Sequence, residues 1–224
     1  MFLTAEEWRI TAFTIAVCAL AIAVMLPFGL GLAWLLAHKR WRGKTLVETF
    51  VTLPLIMPPV ATGLLLLKIC GRRGPVGAFL FDHFHIEIVF TWLGVLVAAA
   101  VMSFPLLVRA ARVGFENVEL QLEEIARTLG ASDLRVFFNV TLPLASRAIL
   151  AGIVLSFARA IGEFGATILL AGNIAGRTTT LSLKIYEAVQ LGDDAIAYRL
   201  IIVCAVIAFL AVFLSERLVR LTAR

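Results

Sequence analysis

Charged residues are scarce in this chain. Asp, Glu, Lys and Arg make up only 16% of its 224 residues, whereas hydrophobic residues make up 61%. A typical soluble domain has roughly 25% charged residues, and one of this size cannot bury so much apolar surface. Disorder is excluded as well, because disordered chains are polar and highly charged. The mean hydropathy of +0.99 therefore predicts an all-α integral membrane protein.

Cysteines and catalytic motifs are also few. Three cysteines, set far apart in apolar runs, exclude a disulfide-stapled secreted module. No Ser–His–Asp, Gly-x-Ser-x-Gly or His-Glu-x-x-His set is present, so we predict no enzyme activity. Residues 172–178 are one residue short of a phosphate-binding loop and have Arg177 where that loop needs lysine, so ATP hydrolysis must come from a partner. His83 and His85 lie near Asp82 without a further ligand at a usual spacing, and we predict no metal site.

The long apolar runs predict five transmembrane helices within a single domain, residues 1–224. A helix needs about 20 apolar residues to cross a bilayer. The second span contains three prolines and is expected to be kinked or irregular, and the fourth contains Arg159 and Glu163. A short helix near 181–191 would make a sixth span only if it crossed as well. The predicted spans are residues 11–37, 46–69, 88–111, 143–171 and 198–217.

The basic residues indicate the orientation. They gather in the 38–44 loop, in the 109–147 segment and in the C-terminal tail, and five spans place all three on one side. The positive-inside rule makes that side cytoplasmic, so the N-terminus is predicted outside in a multi-pass protein of the cytoplasmic membrane. The same rule accounts for the net charge of +5 without a nucleic-acid partner.

Residues 113–141 are charged and amphipathic and cannot span. Apolar residues recur at spacings of three and four from Val118 to Leu129, and Gly130 is expected to end that helix. A second short helix follows, which gives a helix–turn–helix on the cytoplasmic face. One interpretation is a helix lying on lipid head groups, but such helices favour Lys and Arg. This one carries four glutamates, so a protein partner is the better hypothesis.

The same segment resembles the EAA loop of permease subunits in ATP-binding-cassette (ABC) importers. Glu124, Ala126, Gly130 and the pair Leu142-Pro143 stand at the spacing of that loop, with an apolar departure at Ile125 and another at Val140. Other segments resemble the molybdate permease branch of this family, and sulfate and tungstate permeases share parts of the last of them. These segments are residues 54–60, 71–74, 102–106 and 157–166.

The resemblance implies the fold of type I ABC importer permeases and a function in import by alternating access. Two copies of the chain form the pore, and two ATP-binding-cassette subunits, which bind ATP and Mg, dock below. A periplasmic or lipid-anchored protein delivers the oxyanion. The chain itself needs no cofactor. The substrate is expected to be molybdate, with sulfate or tungstate as alternatives. A passive anion channel is a further alternative, but a channel has no need of a docking loop.

The resemblance and the local chemistry together give two sets of candidate site residues. In the loop, Gly130 permits the bend and Glu124 is expected to hold the first helix against the second. In the fourth span, Arg159 and Glu163 are four residues apart and share a helix face. They either set a favourable potential for a dianion or form a structural salt bridge. The full sets are Glu124, Ala126, Gly130, Leu142 and Pro143 for ATPase coupling, and Pro58, Pro59, Arg159, Gly162, Glu163 and Gly165 for the translocation pathway.

Overall fold

The computed structural model describes residues 3–39 and 41–221. Arg40 and residues 222–224, which belong to the predicted basic loop and tail, lie outside the described residues. The helices are α1 (Ala5–His38), α2 (Lys44–Ile56), α3 (Pro59–Cys70), α4 (Pro75–Phe84), α5 (Trp92–Glu116), α6 (Leu120–Thr128), α7 (Asp133–Val136), α8 (Leu142–Ile161), α9 (Gly165–Leu170), α10 (Leu181–Leu191) and α11 (Asp194–Leu221), with a π-helical turn, Phe137–Thr141, between α7 and α8.

Within the described ranges, four helical segments are long and apolar enough to cross a membrane. They are α1, α5, the continuous segment from α7 through α8, and α11 up to Arg217. Helices α2 and α3 meet at an angle of 113°, so they form a fifth span only if this bent pair is counted as one membrane crossing. The short helix predicted near 181–191 is present as α10, which has 11 residues.

The sharp bend between α2 and α3 follows from two adjacent prolines. The residue before a proline avoids the helical region, and Met57 is extended, with a ψ of 147°. Pro58 is also non-helical, while Pro59 occupies the first turn of α3, where a missing N–H costs nothing. The predicted span 46–69 is therefore two helices rather than one kinked helix.

The predicted span 143–171 also differs from the observed helices. The helical segment begins earlier, at Asp133, and α8 ends at Ile161, before α9 resumes at Gly165. The π-helical turn precedes Pro143, which has no N–H to continue the normal ladder. The backbone N–H of Leu142 instead donates to the carbonyl of Phe137.

Helix α1 starts at Ala5, six residues before the predicted span. Thr4 and Glu7 form a reciprocal capping box, in which the Glu7 N–H donates to Thr4 Oγ1 at 3.2 Å and the Thr4 N–H donates to Glu7 Oε2 at 2.6 Å. This box satisfies the free N–H groups of the first turn, so that charged residues can begin a helix that is otherwise apolar.

Helix α5 packs between α1 and α8 in the centre of the described chain. Small side chains such as Ala33, Ala111 and Ala145 are almost fully buried there. A Cβ added at Gly152 would approach the Cβ of Ala110 to 2.8 Å. Close approach of backbones through small residues is the usual way that helices associate in membranes.

Candidate functional site

The loop predicted to be cytoplasmic folds as two short helices joined by a tight turn at Gly130. Gly130 has a φ of +86°, a conformation that favours glycine. Its N–H donates to the Arg127 carbonyl at 2.9 Å, and the N–H of Ala131 donates to the Ala126 carbonyl at 3.1 Å. These two bonds form a Schellman motif, and the predicted bend at Gly130 is present.

A buried carboxylate, Glu123, fixes this loop to the membrane helices. Its side chain is 2% exposed and accepts a hydrogen bond from Thr141 Oγ1 at 2.5 Å. His38 Nε2, in the last turn of α1, lies 3.3 Å from the same carboxylate. Arg127 Nη2 lies 3.4 Å from it. One side chain of α6 therefore connects α1 with the turn that leads into α8.

Arg127 extends this network across the bend. Its Nε donates to Asp133 Oδ1 at 3.0 Å, so a side chain of α6 is tied to the first residue of α7. That hydrogen bond raises the pKa of the Arg127 guanidinium, which stays charged. The two arms of the bend are thus held together by ionic groups as well as by the turn at Gly130.

Glu124 does not have the bracing role that the sequence suggested for it. Glu124 is exposed, and no hydrogen bond or ion pair joins it to the residues described. The carboxylate that holds the loop is Glu123, which the sequence reasoning missed. The sequence could not distinguish Glu123 from Glu124, because two consecutive glutamates in an amphipathic helix do not reveal which of them is buried.

The apolar face of the loop points outward. Of the predicted stripe only Val118 is buried, and Leu129 is 82% exposed. On α7 and the turn after it, Leu134 is 73% and Phe138 59% exposed. Leu122 and Ile125 are exposed as well. An exposed apolar patch of this kind marks an interaction surface. We call it the apolar loop face: Leu122, Ile125, Leu129, Leu134 and Phe138.

The second candidate region is the break between α8 and α9. Arg159 Nη1 lies 2.6 Å from Glu163 Oε2, and Glu163 is 3% exposed. The other oxygen of Glu163, Oε1, accepts the N–H of Ala166 at 2.7 Å. Ser182 Oγ donates to the carbonyl of Ile161 at 3.0 Å. Glu163 therefore pairs with the arginine and also caps the first turn of α9.

The two broken segments pack directly against each other. A Cβ added to Gly165 would lie 2.7 Å from the Cβ of Pro59, and one added to Gly63 would lie 2.7 Å from the Cα of Ala166. The structure thus brings Pro59 and Gly165 together with the Arg159–Glu163 pair. Pro58 shapes the bend before this joint, while Gly162 lies exposed at the end of α8.

Replacing Gly63 with alanine is expected to destabilise the protein by about 1–3 kcal/mol, because the methyl group would meet the backbone of α9 and force the helices apart. Thermal unfolding in detergent measures the effect. Gly31→Ala is the matched control, since a Cβ there has no atom within 4 Å. Equal melting temperatures for the two variants would contradict the close contact of α3 with α9.

No group of three or more His, Cys, Asp or Glu side chains within residues 3–39 and 41–221 is arranged to hold a metal ion. His83, which the sequence analysis considered and rejected as a metal ligand, places Nδ1 3.0 Å from the carbonyl of Phe79 in its own helix. Cys18, Cys70 and Cys204 are free thiols.

Comparison with known proteins assigns the chain to a family. Residues 25–224 match the model of the binding-protein-dependent transport system inner membrane component. The molybdenum transport system permease protein ModB of Escherichia coli K12 is 46% identical over 223 residues, covering 99% of this chain and 97% of that protein. The sulfate transport system permease protein CysT of Salmonella typhimurium LT2 is 43% identical over 166 residues, covering 74% of this chain and 60% of that protein. A solved bacterial alginate ABC transporter, in complex with an alginate pentasaccharide-bound periplasmic protein, has a TM-score of 0.75 and 19% identity over 100% of this chain and 81% of that chain.

The chain belongs to the family of binding-protein-dependent transport system inner membrane components. This membership confirms the predicted class, a multi-pass transport subunit of the inner membrane that is not itself an enzyme. The structural similarity confirms the helical fold of ABC importer permeases.

Proposed function

We propose that this chain is the permease subunit of an ATP-driven importer that moves molybdate into the cell by alternating access. The apolar loop face carries the proposal. It is exposed on the loop predicted to be cytoplasmic. The opposite side of the loop is attached to the membrane helices through the buried Glu123. An exposed apolar surface binds either a protein or a membrane, and the four glutamates of this loop favour a protein partner, because anionic lipid repels them. The partner in this proposal is an ATP-binding-cassette subunit, which binds ATP and Mg, so the chain itself needs no cofactor.

Two copies of the chain, each docked to one such ATPase, would convert ATP-driven closure into movement of helices. In each copy, Gly130 sets the angle between α6 and α7, while the exposed Glu124 and the partly buried Ala126 belong to the docking helix. The Leu142-Pro143 step continues the segment into the membrane. Because Glu123 connects α6 with α1 and α8, a displacement of the loop would move these helices as a rigid body.

The translocation pathway is proposed to run beside the joint between the two broken segments. Non-helical backbone at membrane depth is tolerated only where it is buried in protein or lines a water-filled cavity. The break at residues 57–58 and the break at residues 162–164 lie against each other through Pro59 and Gly165. The residues assigned to this wall are Pro58, Pro59, Arg159, Gly162, Glu163 and Gly165.

Molybdate is the proposed substrate because the similarity to the molybdenum permease covers nearly the whole of both chains. The similarity to the sulfate permease covers 60% of that protein, which makes sulfate the second candidate, with tungstate alongside. All three are tetrahedral dianions. A periplasmic or lipid-anchored binding protein would present the anion on the side of the N-terminus, which is predicted to be outside from the distribution of basic residues.

ATP-driven uptake in proteoliposomes tests this function. The chain is reconstituted with its ATPase and binding protein, and uptake of molybdate, tungstate and sulfate is compared at trace concentrations. We expect molybdate uptake that requires ATP. Uptake of sulfate but not of molybdate would support an ATP-driven importer whose substrate is sulfate. Flux that ignores ATP would reject the importer in favour of a passive channel.

Replacing Leu129 with glutamate is expected to weaken retention of the ATPase subunit by at least roughly tenfold, since burying a charge in an apolar interface is costly. Co-purification of the ATPase on the tagged permease measures the loss. Leu191→Glu is the matched control, because Leu191 is 77% exposed on α10, outside the loop. Unchanged retention of the ATPase by the Leu129→Glu variant would contradict the proposal that the apolar loop face binds this subunit.

A further inference from the structure

A cationic cavity of about 220 Å³ lies between the start of α1 and the loop that connects α9 with α10. Both of its arginines, Arg9 and Arg177, are exposed, and neither side chain forms a hydrogen bond or an ion pair with any residue in the described part of the chain. No acidic side chain is among the lining residues. They are Arg9, Ile10, Phe13, Gly176, Arg177 and Thr179.

The loop that carries Arg177 is the segment whose sequence resembles an incomplete phosphate-binding loop. It is fixed by its own threonines. Thr178 Oγ1 accepts the N–H of Ile174 at 2.9 Å and donates to the Gly172 carbonyl at 3.1 Å. Thr179 Oγ1 donates to Asn173 Oδ1 at 2.7 Å. The turn that presents Arg177 is therefore ordered before any ligand arrives.

The loop is also attached to α1. The N–H of Leu181, at the end of the loop, donates to Thr14 Oγ1 at 3.0 Å, and both groups are buried. This bond holds the loop against the helix that carries Arg9. Arg9 and Arg177 thus border one cavity from two elements that are joined to each other.

Two other cations near the starts of α1 and α10 are paired with carboxylates. Arg199 lies 3.0 Å from Glu7, and Lys184 lies 2.9 Å from Glu187. Arg9 and Arg177 differ because the cavity offers them no carboxylate. Each guanidinium presents several N–H donors in a planar fork that matches the oxygens of phosphate-like groups. The cavity wall formed by Ile10 and Phe13 is apolar.

We propose that Arg9 and Arg177 form a binding site for a tetrahedral oxyanion group, either the phosphate of an anionic phospholipid head group or a free oxyanion. The two guanidinium groups hold the anionic oxygens. Ile10 and Phe13 form the apolar side of the cavity, which accommodates the part of a lipid adjacent to its phosphate. The site does not rest on the proposed transport function.

Two measurements on the full-length permease, purified with its ATPase subunit, distinguish the sources. Native mass spectrometry counts phosphatidylglycerol molecules retained in mild detergent. Thermal unfolding of delipidated protein measures stabilisation by inorganic phosphate, compared with sodium chloride at equal ionic strength. The test variant is Arg9→Gln combined with Arg177→Gln, and Arg177→Gln alone is included because an exposed loop position tolerates the change. Arg73→Gln, which alters another exposed arginine, is the matched control.

We expect the double variant to lose roughly tenfold in affinity, the usual effect of removing hydrogen bonds to a charged group, and Arg73→Gln to behave as the unmodified protein. A loss confined to phosphatidylglycerol identifies a lipid site, and a loss confined to inorganic phosphate identifies a free-anion site. If the double variant and Arg177→Gln match the control in both measurements, there is no oxyanion site in this cavity.

Discussion

Replacing Glu123 with alanine is expected to abolish ATP-driven uptake and to lower stability by about 3 kcal/mol. The carboxylate is 2% exposed and is the shared partner of Thr141, His38 and Arg127. Removing this carboxylate leaves the Thr141 hydroxyl and the His38 ring without their partner in a buried place, which is costly, while Arg127 keeps Asp133. The loop would then no longer be fixed to α1 and α8. Uptake into proteoliposomes and thermal unfolding in detergent measure the two effects.

Glu119→Ala is the control for this prediction, because Glu119 is an exposed acid at the start of the same helix. It should retain both uptake and melting temperature. A second variant, Glu123→Gln, keeps the shape and one acceptor oxygen while removing the charge, and we expect it to fold. Full transport by Glu123→Gln would show that the charge is dispensable, and full transport by Glu123→Ala would contradict the role of Glu123 in fixing the loop.

The orientation of α6 shows where prediction from the sequence reached its limit. The spacing of Val118, Leu122 and Leu129 correctly indicated an apolar stripe, and Gly130 correctly marked the bend. In a soluble domain an apolar stripe faces the core, but here the buried side of α6 carries Glu123. The stripe faces outward, as the proposed docking to an ATPase subunit requires, and a single sequence contains no information about the surface of a partner.

Of the two broken helices, the sequence predicted that the second span is irregular but not the angle of its bend or the end of α8. Pro58 and Pro59 correctly indicated an irregular second span, because proline restricts the residue before it and lacks an N–H. The prolines do not specify the angle of 113°, and α3 packs against α9, which is distant in sequence. The end of α8 at Ile161 had weaker local signals. Gly162 alone does not stop a helix, and the sequence does not show that Glu163 accepts the N–H of Ala166 and pairs with Arg159.

Replacing either Arg159 or Glu163 alone with alanine is expected to cause loss of folded protein. Each change leaves an unpaired charge within a membrane span, which costs at least about 2.5–3.5 kcal/mol on insertion scales. Glu163→Ala also removes the acceptor for the N–H of Ala166. Size-exclusion chromatography of the detergent extract measures the yield of folded protein.

A neutral pair separates the structural role of this ion pair from a role in binding the anion. Arg159→Met combined with Glu163→Gln removes both charges together, and the amide oxygen of glutamine still accepts the Ala166 N–H that Glu163 accepts at 2.7 Å. Buried ion pairs are often replaceable by neutral side chains of similar volume. We therefore expect the double variant to recover both folded protein and uptake, since the 2.6 Å bridge holds the α8–α9 break in shape. A double variant that folds but does not transport would instead indicate that Arg159 acts on the anion. In that variant the fold is intact, and the positive potential that Arg159 gives the pathway is lost.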